Sequence, residues 1–200
     1  MYIEYQILLA ASDVQPGDDL KDQLVGLMVK EFDQDRLVDM AIREGVAGLL
    51  YKNLKKTGVL GYLEHQHIQH LQSAYYLTVR FNLKLIHDLK EVLQQLNKKH
   101  IKVVLLQGIR LLQQIYKDIG LRPLTDIDLW ILPESRDAVH EVLIRLGFEK
   151  DRLYPNTFKK GITIIDLNTH IFWADRIKSR SMLLKTSQED LFRNCRTIDF

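Results

Sequence analysis

Apolar residues recur every three or four positions through the first hundred residues, and charged residues fill the positions between them. This spacing puts the apolar side chains on one face of a helix. The clearest stripe consists of Phe81, Leu85, Leu89, Val92 and Leu96. The pattern predicts helices over residues 18–32, 35–54, 63–79 and 81–98, so we expect residues 1–98 to form an N-terminal helical region.

The period of the pattern changes after residue 98. Residues 101–106 form a β-branched apolar run, which is typical of a buried strand. The further predicted elements are helices over 109–117 and 135–146, the second capped by Ser135 and ended by Gly147, and strands over 126–132, 148–154 and 161–167. Strands mixed with helices after an all-helical start predict an α+β fold, with its core over residues 99–200.

Composition narrows the class of protein. The chain of 200 residues is long enough to bury a core without disulfides, and its single cysteine, Cys195, has no partner within the chain. No run approaches the ~20 apolar residues that span a bilayer. We therefore expect a cytoplasmic protein with no membrane partner. The formal net charge of +2 gives no general field that would attract nucleic acid.

Two aspartates stand two positions apart in the predicted strand over 126–132. Asp126 and Asp128 therefore share one face of that strand, while Ile127 and Leu129 point to the other. Adjacent carboxylates repel each other and resist burial unless a cation neutralises them or one is protonated. Taken alone, the pair indicates either a metal site or two solvated acids, since Asp33 and Asp35 show the same spacing at a polar helix start.

A third acid, Asp166, lies in the apolar strand over 161–167. If that strand lies beside the first with Asp166 on the same face, three carboxylates converge and can hold divalent metal for an in-line displacement. Alternatively, Asp166 caps the turn that follows the strand. Gly108 stands between a strand and a helix, where a phosphate could approach the backbone, although a plain tight turn gives the same pattern.

Two arginines, three histidines and a tryptophan are weaker candidates for functional residues. Arg110 and Arg122 match the geometry of phosphate oxygens, although surface arginines are common. His65, His67 and His70 lack further zinc ligands, so we expect them on a solvated helix face. We expect Trp173 to be a core or lid aromatic. No P-loop, dinucleotide-binding or nucleophile-elbow motif occurs.

Several segments in a fixed order resemble the uncharacterised nucleotidyltransferase family within the DNA polymerase β-like superfamily. The closest runs are LQG at 106–108, Tyr116 and GLRPLTDIDL at 120–129. AIREGVAGLLY at 41–51 is similar to a helical segment of that family, and IDLNTH at 165–170 to its later aspartate strand. The order of glycine turn, paired aspartates and later aspartate is more specific than any single motif.

The resemblance implies a polymerase β-like core, a mixed β-sheet flanked by helices. It implies that Asp126, Asp128 and Asp166 are a catalytic triad that binds Mg²⁺ or Mn²⁺. Gln107, Gly108, Arg110 and Arg122 would then contact a nucleoside triphosphate such as ATP, and the nucleotidyl group would pass to a hydroxyl on a small molecule, a protein or RNA.

The chain also departs from the family pattern. Gln107 stands where the family often has lysine, Ile109 follows Gly108 where a small residue is usual, and Asn168 replaces a histidine. We expect the core to end early relative to its relatives, as a truncated or a reduced member. Three functions stay open: an active nucleotidyltransferase, a degenerate module that binds nucleotide or a protein partner without turnover, and a purely structural helical adaptor in which the three acids are incidental.

Overall fold

The computed structural model describes residues 2–170 and 187–195. The chain forms two compact units, one of Met1–Leu83 with Leu111–Pro123 and one of Lys84–Arg110 with Leu124–Phe200. The domain boundary that we placed between residues 98 and 99 stays a prediction. In the described part of the chain, no helix has both the length and the apolar character needed to cross a bilayer.

Helices build the first unit. They are α1 (Ile3–Ala11), α2 (Leu20–Met28), α3 (Gln34–Arg43), α4 (Ala47–Thr57) and the first part of α5 (His65–Lys98), with a short 3₁₀ turn at Leu60–Tyr62. Each helix turns an apolar face inward. Leu8, Leu24, Leu37, Leu50 and Leu71 are among the residues of the resulting core.

Helix boundaries differ from the sequence prediction in three places. The single helix predicted over 35–54 is two helices, because Gly45 takes the left-handed conformation (φ +70°) and Val46 N–H donates to Ala41 C=O (2.9 Å), which ends α3. The two helices predicted over 63–79 and 81–98 are the single helix α5, since no glycine or proline interrupts them. Helix α1 was not predicted.

A five-stranded mixed sheet forms the centre of the second unit. Its strands are β1 (Val104–Leu105), β2 (Ile127–Trp130), β3 (Glu149–Lys150), β4 (Thr157–Lys160) and β5 (Thr163–Asn168), in the order β1-β2-β5-β4-β3. Only β2 and β5 run parallel; the other neighbouring strands are antiparallel. The predicted α+β class with a mixed sheet is confirmed.

Helices complete the second unit. They are the later part of α5, α6 (Gly108–Leu111), α7 (Arg136–Arg145) and α8 (Gln188–Arg193); the π-helical turn at Leu112–Tyr116 that continues α6 belongs to the first unit. Alternate residues of the strands, including Ile127, Leu129 and Ile165, join apolar residues of α5 and α7 in the core of this unit. The faces of β2 and β5 that carry Asp128 and Asp166 are the opposite ones.

Some of the helix and strand ends predicted for the second unit are wrong. Gly147 ends α7 with φ +83°, as expected. Ser135, however, lies in a 3₁₀ turn at Pro133–Ser135 and its side chain does not cap α7. The strand predicted over 148–154 is only Glu149–Lys150, and β4 was missed; β4 and β5 instead form a hairpin through Gly161 (φ +58°).

Candidate functional site

Asp128 and Asp166 lie directly opposite each other on the two parallel strands. The register pairs Asp128 of β2 with Asp166 of β5, and Leu129 with Leu167. The apolar residues on either side of each aspartate are buried, whereas both aspartates are only half-buried. The structure therefore brings these two carboxylates together on one face of the sheet, which meets the condition that the sequence analysis set for a shared metal site.

Asp126 lies one residue before β2 and is also half-buried. Its carboxylate accepts a hydrogen bond from the Thr125 hydroxyl (3.0 Å). Its charge reaches Asp128, because both Asp126 and Asp166 raise the pKa of Asp128. Asp126 is thus an electrostatic neighbour of the pair formed by Asp128 and Asp166.

Two neutral side chains donate hydrogen bonds to this pair. Asn168 Nδ2 donates to Asp128 Oδ1 (3.1 Å), and the Thr157 hydroxyl donates to Asp166 Oδ1. Asn168 follows Asp166 by two residues on the same strand, and Thr157 is the β4 residue paired with Asp166. In the sequence Asn168 was only a departure from a motif, and Thr157 carried no signal because β4 was not predicted.

One lysine influences this face: the hydrogen bond to Asp151, and to a lesser extent the charge of Asp166, raise the pKa of Lys159 on β4, whose ammonium pairs with Asp151. Burial is the largest cause of the raised pKa of Asp128; the hydrogen bond from Asn168 opposes it, and the charges of Asp126 and Asp166 add to it. Within residues 2–170 and 187–195, no lysine, arginine or histidine forms an ion pair with any of the three acids. A cation bound here would relieve the repulsion that Asp128 experiences from Asp126 and Asp166.

The donor set fits a magnesium-type ion that receives the rest of its ligands from elsewhere. Among the residues that the structure describes, no three His, Cys, Asp or Glu side chains are placed to hold one metal ion. Mg²⁺, however, is usually held by one or two carboxylates together with water and substrate phosphates. Asp128 and Asp166 supply two hard oxygen ligands side by side, and their assignment as metal ligands stays a prediction.

The glycine turn begins beside Asp128. Leu105 of β1 pairs with Leu129, and Leu106 N–H donates to the Asp128 carbonyl (3.0 Å). Gln107 follows with φ +46°, in the left-handed region that favours glycine, and is exposed. Gly108 then opens α6, so the turn and the carboxylates belong to the same part of the sheet.

The residues after Gly108 differ in exposure. Ile109 is 1% exposed and packs in the core of the second unit. Its side chain therefore cannot contact a phosphate at the turn as a small hydroxyl residue could. Arg110 is half-buried, and its guanidinium forms no hydrogen bond or ion pair with other described residues. Of the two arginines predicted to contact phosphate, Arg110 lies in the unit that contains the carboxylates.

Arg122 lies in the first unit. Its Nη1 donates to the Tyr116 hydroxyl (3.4 Å), and its guanidinium carbon is 5.8 Å from the centre of the Tyr116 ring. Tyr116 and Arg122 both belong to the segments that resemble the family. The role of Arg122 as a phosphate contact stays a prediction.

The segment that carries Arg122 is fixed by contacts within the first unit. The Asp118 carboxylate accepts hydrogen bonds from Lys52 and from the Tyr75 hydroxyl (3.1 Å), and Asn82 Nδ2 donates to the carbonyls of Ile119 (2.6 Å) and Arg122 (2.8 Å). Burial opposes ionisation of Asp118, but these hydrogen bonds and the charge of Lys52 outweigh it and lower its pKa.

Glycines allow two family-like segments to meet. A Cβ on Gly48 would lie 2.1 Å from the Gly120 carbonyl oxygen, and a Cβ on Gly120 would lie 2.3 Å from the Tyr75 ring. Both distances are far below van der Waals contact. Within the first unit, the run at 41–51 therefore packs against the start of the run at 120–129 through residues that have no side chain.

The predictions for residues outside the candidate site are confirmed in part. Asp33 caps α3 by accepting from Arg36 N–H (3.0 Å), as a helix-start role predicted. The solvated face predicted for the histidines is wrong for His67, which is buried with Nε2 2.9 Å from Asp35 Oδ1; His65 and His70 are exposed. Trp173 lies outside the described residues.

The chain is similar to one family of known proteins. A family model described as "Uncharacterised nucleotidyltransferase" matches residues 30–199, which is most of the chain. Searches of curated proteins and of solved structures found no significant match.

Proposed function

Because the chain belongs to the uncharacterised nucleotidyltransferase family, we propose that it transfers a nucleotidyl group from a nucleoside triphosphate to a hydroxyl acceptor with the help of Mg²⁺ or Mn²⁺. Membership gives nucleotidyl transfer as the general reaction. The observation that supports metal dependence is the facing pair of Asp128 and Asp166, half-buried and engaged in no ion pair with another described residue.

In this proposal the three acids have distinct tasks. Asp126 and Asp128 would hold the divalent metal, and Asp166 would contact it and accept the proton of the acceptor hydroxyl. A bound divalent ion supplies charge neutralisation for the triphosphate and a fixed orientation for in-line displacement. The acceptor oxygen forms a bond to the α-phosphorus while the bond to the β-phosphate oxygen breaks, and pyrophosphate leaves.

The glycine turn is the proposed place for the triphosphate. It begins directly beside Asp128 through the hydrogen bond from Leu106 N–H to the Asp128 carbonyl, so phosphates bound there would be close to the carboxylates. Gly108 has no side chain to keep a phosphate away from the backbone. Arg110, with its guanidinium unpaired among the described residues, supplies a positive charge in the same unit.

Transfer of radiolabel tests this proposal. The protein is incubated with [α-³²P]ATP or [α-³²P]GTP and Mg²⁺ or Mn²⁺, against three acceptor classes: small polyols and nucleosides, proteins of a cell extract, and RNA. We expect metal-dependent labelling of one class and release of pyrophosphate. Asp128→Asn should lower labelling by at least about a hundredfold, in the range of a lost key electrostatic contact.

Glu149→Gln is the matched control. Glu149 is an exposed acid on β3, at the far edge of the same sheet, so its substitution should leave labelling unchanged. Labelling that survives Asp128→Asn, or that proceeds equally in excess chelator, would contradict the proposed role of the carboxylates.

The turn itself favours a second candidate function, nucleotide binding without turnover. Ile109 is in the core, and Gln107 brings no positive charge to the phosphates. Binding of Mg²⁺-ATP with no labelling of any acceptor class and no pyrophosphate release would favour this candidate over the first.

A further inference from the structure

The carboxylate pair is held from one side by neutral donors. Each aspartate accepts one hydrogen bond from a neighbouring strand position: Asp128 Oδ1 from Asn168 Nδ2 at 3.1 Å, and Asp166 Oδ1 from the Thr157 hydroxyl. No such bond to the second oxygen of either carboxylate occurs within the described residues. The same pattern, one oxygen fixed and one left available, occurs on both acids.

The sheet sets this pattern. Thr157 is directly opposite Asp166 across the antiparallel pair of β4 and β5, where side chains on one face are close neighbours. Asn168 pairs with Trp130, which places it diagonally next to Asp128 on the parallel pair of β2 and β5. Both donors therefore come from regular strand positions, which change little in conformation when a ligand binds.

The chemistry of the donors is as informative as their position. A lysine or arginine at either place would neutralise the carboxylates and compete with a metal ion for them. An amide and a hydroxyl orient a carboxylate without removing its charge. Polar groups that orient metal-binding carboxylates in this way typically contribute ten- to hundredfold to metal affinity or activity.

We propose that Asn168 and Thr157 are positioning residues that hold one oxygen of Asp128 and of Asp166, leaving the other oxygen of each available to a shared divalent cation. This inference rests on the proposed function, since it needs the two aspartates to be metal ligands. It adds two residues to the site, one of which stands where the family pattern has a histidine.

Mn²⁺ binding tests the inference without any need for the acceptor. Free Mn²⁺ is measured by electron paramagnetic resonance while the metal alone is titrated into wild type, Thr157→Val, Asn168→Leu and Asp128→Asn. Thr157→Val removes the hydroxyl but keeps the β-branched shape, and Thr157→Ser restores the hydroxyl. Circular dichroism and urea unfolding confirm that each variant is folded.

Thr163→Val is the matched control. The Thr163 hydroxyl also donates to an aspartate, Asp88, but in the buried interior of the same unit. Its loss should lower stability and leave Mn²⁺ affinity unchanged. A purely structural role for Thr157 would make Thr157→Val behave like this control.

We expect Thr157→Val and Asn168→Leu each to weaken Mn²⁺ binding by about tenfold or more, and Thr157→Ser to stay within about threefold of wild type. If Asp128→Asn loses Mn²⁺ binding while Thr157→Val and Asn168→Leu bind as wild type does, the positioning inference is overturned. It is also overturned if all three variants bind Mn²⁺ as wild type does. If wild type itself binds no Mn²⁺, the metal-dependent function fails first, and the inference fails with it.

Discussion

Replacing Asp128 by asparagine should make the metal-free protein more stable. The substitution keeps the size of the side chain, and its carbonyl oxygen still accepts the hydrogen bond from Asn168. The substitution removes a negative charge that faces Asp166 across adjacent strands and that is also repelled by Asp126. A site kept for binding rather than for stability should show this trade-off.

The magnitude follows from the strand spacing. Carboxylates on adjacent strands about 4.8 Å apart repel by about 1 kcal/mol at the dielectric constant of water and about 3 kcal/mol at an effective value near 20. Since Asp128 and Asp166 are half-buried, we expect Asp128→Asn to raise the free energy of unfolding by about 1–2 kcal/mol, with solvent screening reducing the upper figure.

The pH dependence has a definite sign. The pKa of Asp128 is raised in the folded state. Its favourable contribution to the free energy of unfolding is therefore complete at pH values below its unfolded-state pKa, and is lost as the pH rises through its folded-state pKa. The difference between Asp128→Asn and wild type should therefore be largest at neutral pH and shrink in acid. Urea unfolding in excess chelator, repeated at several pH values, measures it.

Asp88→Asn is the matched control in the same unit. Burial opposes ionisation of Asp88, but hydrogen bonds from Lys84 and Thr163 and the charges of Lys84 and Lys160 outweigh it and lower its pKa. This variant should lose about 1–3 kcal/mol, less than the ~3–5 of a fully buried pair because both lysines are partly exposed. Equal or reduced stability of Asp128→Asn at neutral pH would refute the reasoning about repulsion.

Two further predictions concern backbone positions, both measured by urea unfolding. Gly48→Ala should destabilise the protein by at least about 1–3 kcal/mol, because its Cβ would lie 2.1 Å from the Gly120 carbonyl oxygen. In the control Gly26→Ala, nothing lies within 4 Å of the new Cβ, so the free energy of unfolding should rise by up to about 1 kcal/mol. Equal effects of the two substitutions would contradict the packing argument. Gln107→Gly should stabilise by up to about 1 kcal/mol by relieving a left-handed φ of 46°, whereas a loss of stability would mean that the Gln107 side chain matters more than its backbone strain.

Local pattern was enough to place the acids but not the groups around them. The alternation of Ile127, Asp128 and Leu129 determines which side chains share a face, and the same holds for Ile165, Asp166 and Leu167 on the other strand. That these strands are neighbours is a long-range pairing, which the sequence supported only through a resemblance. Thr157 escaped prediction because β4 contains a single buried apolar residue, Phe158, among polar ones.

The helical region shows the same limit. Gly45 lay inside a continuous apolar period, so the break between α3 and α4 was not predicted; it depends on the left-handed conformation that the glycine adopts there. His67 was assigned to a solvated face with His65 and His70, but it is buried, and its ring contacts Asp35, which is 32 residues away. Both errors arise where a tertiary contact or a backbone conformation overrides periodicity.

The most direct test of the central claim is calorimetric titration of Mg²⁺-ATP and Mg²⁺-GTP into wild type and Asp128→Asn, with circular dichroism showing that both are folded. A metal–nucleotide site at Asp128 and Asp166 predicts binding by wild type that needs Mg²⁺ and disappears in the variant. Absence of binding by wild type, or equal binding by both proteins, would contradict it.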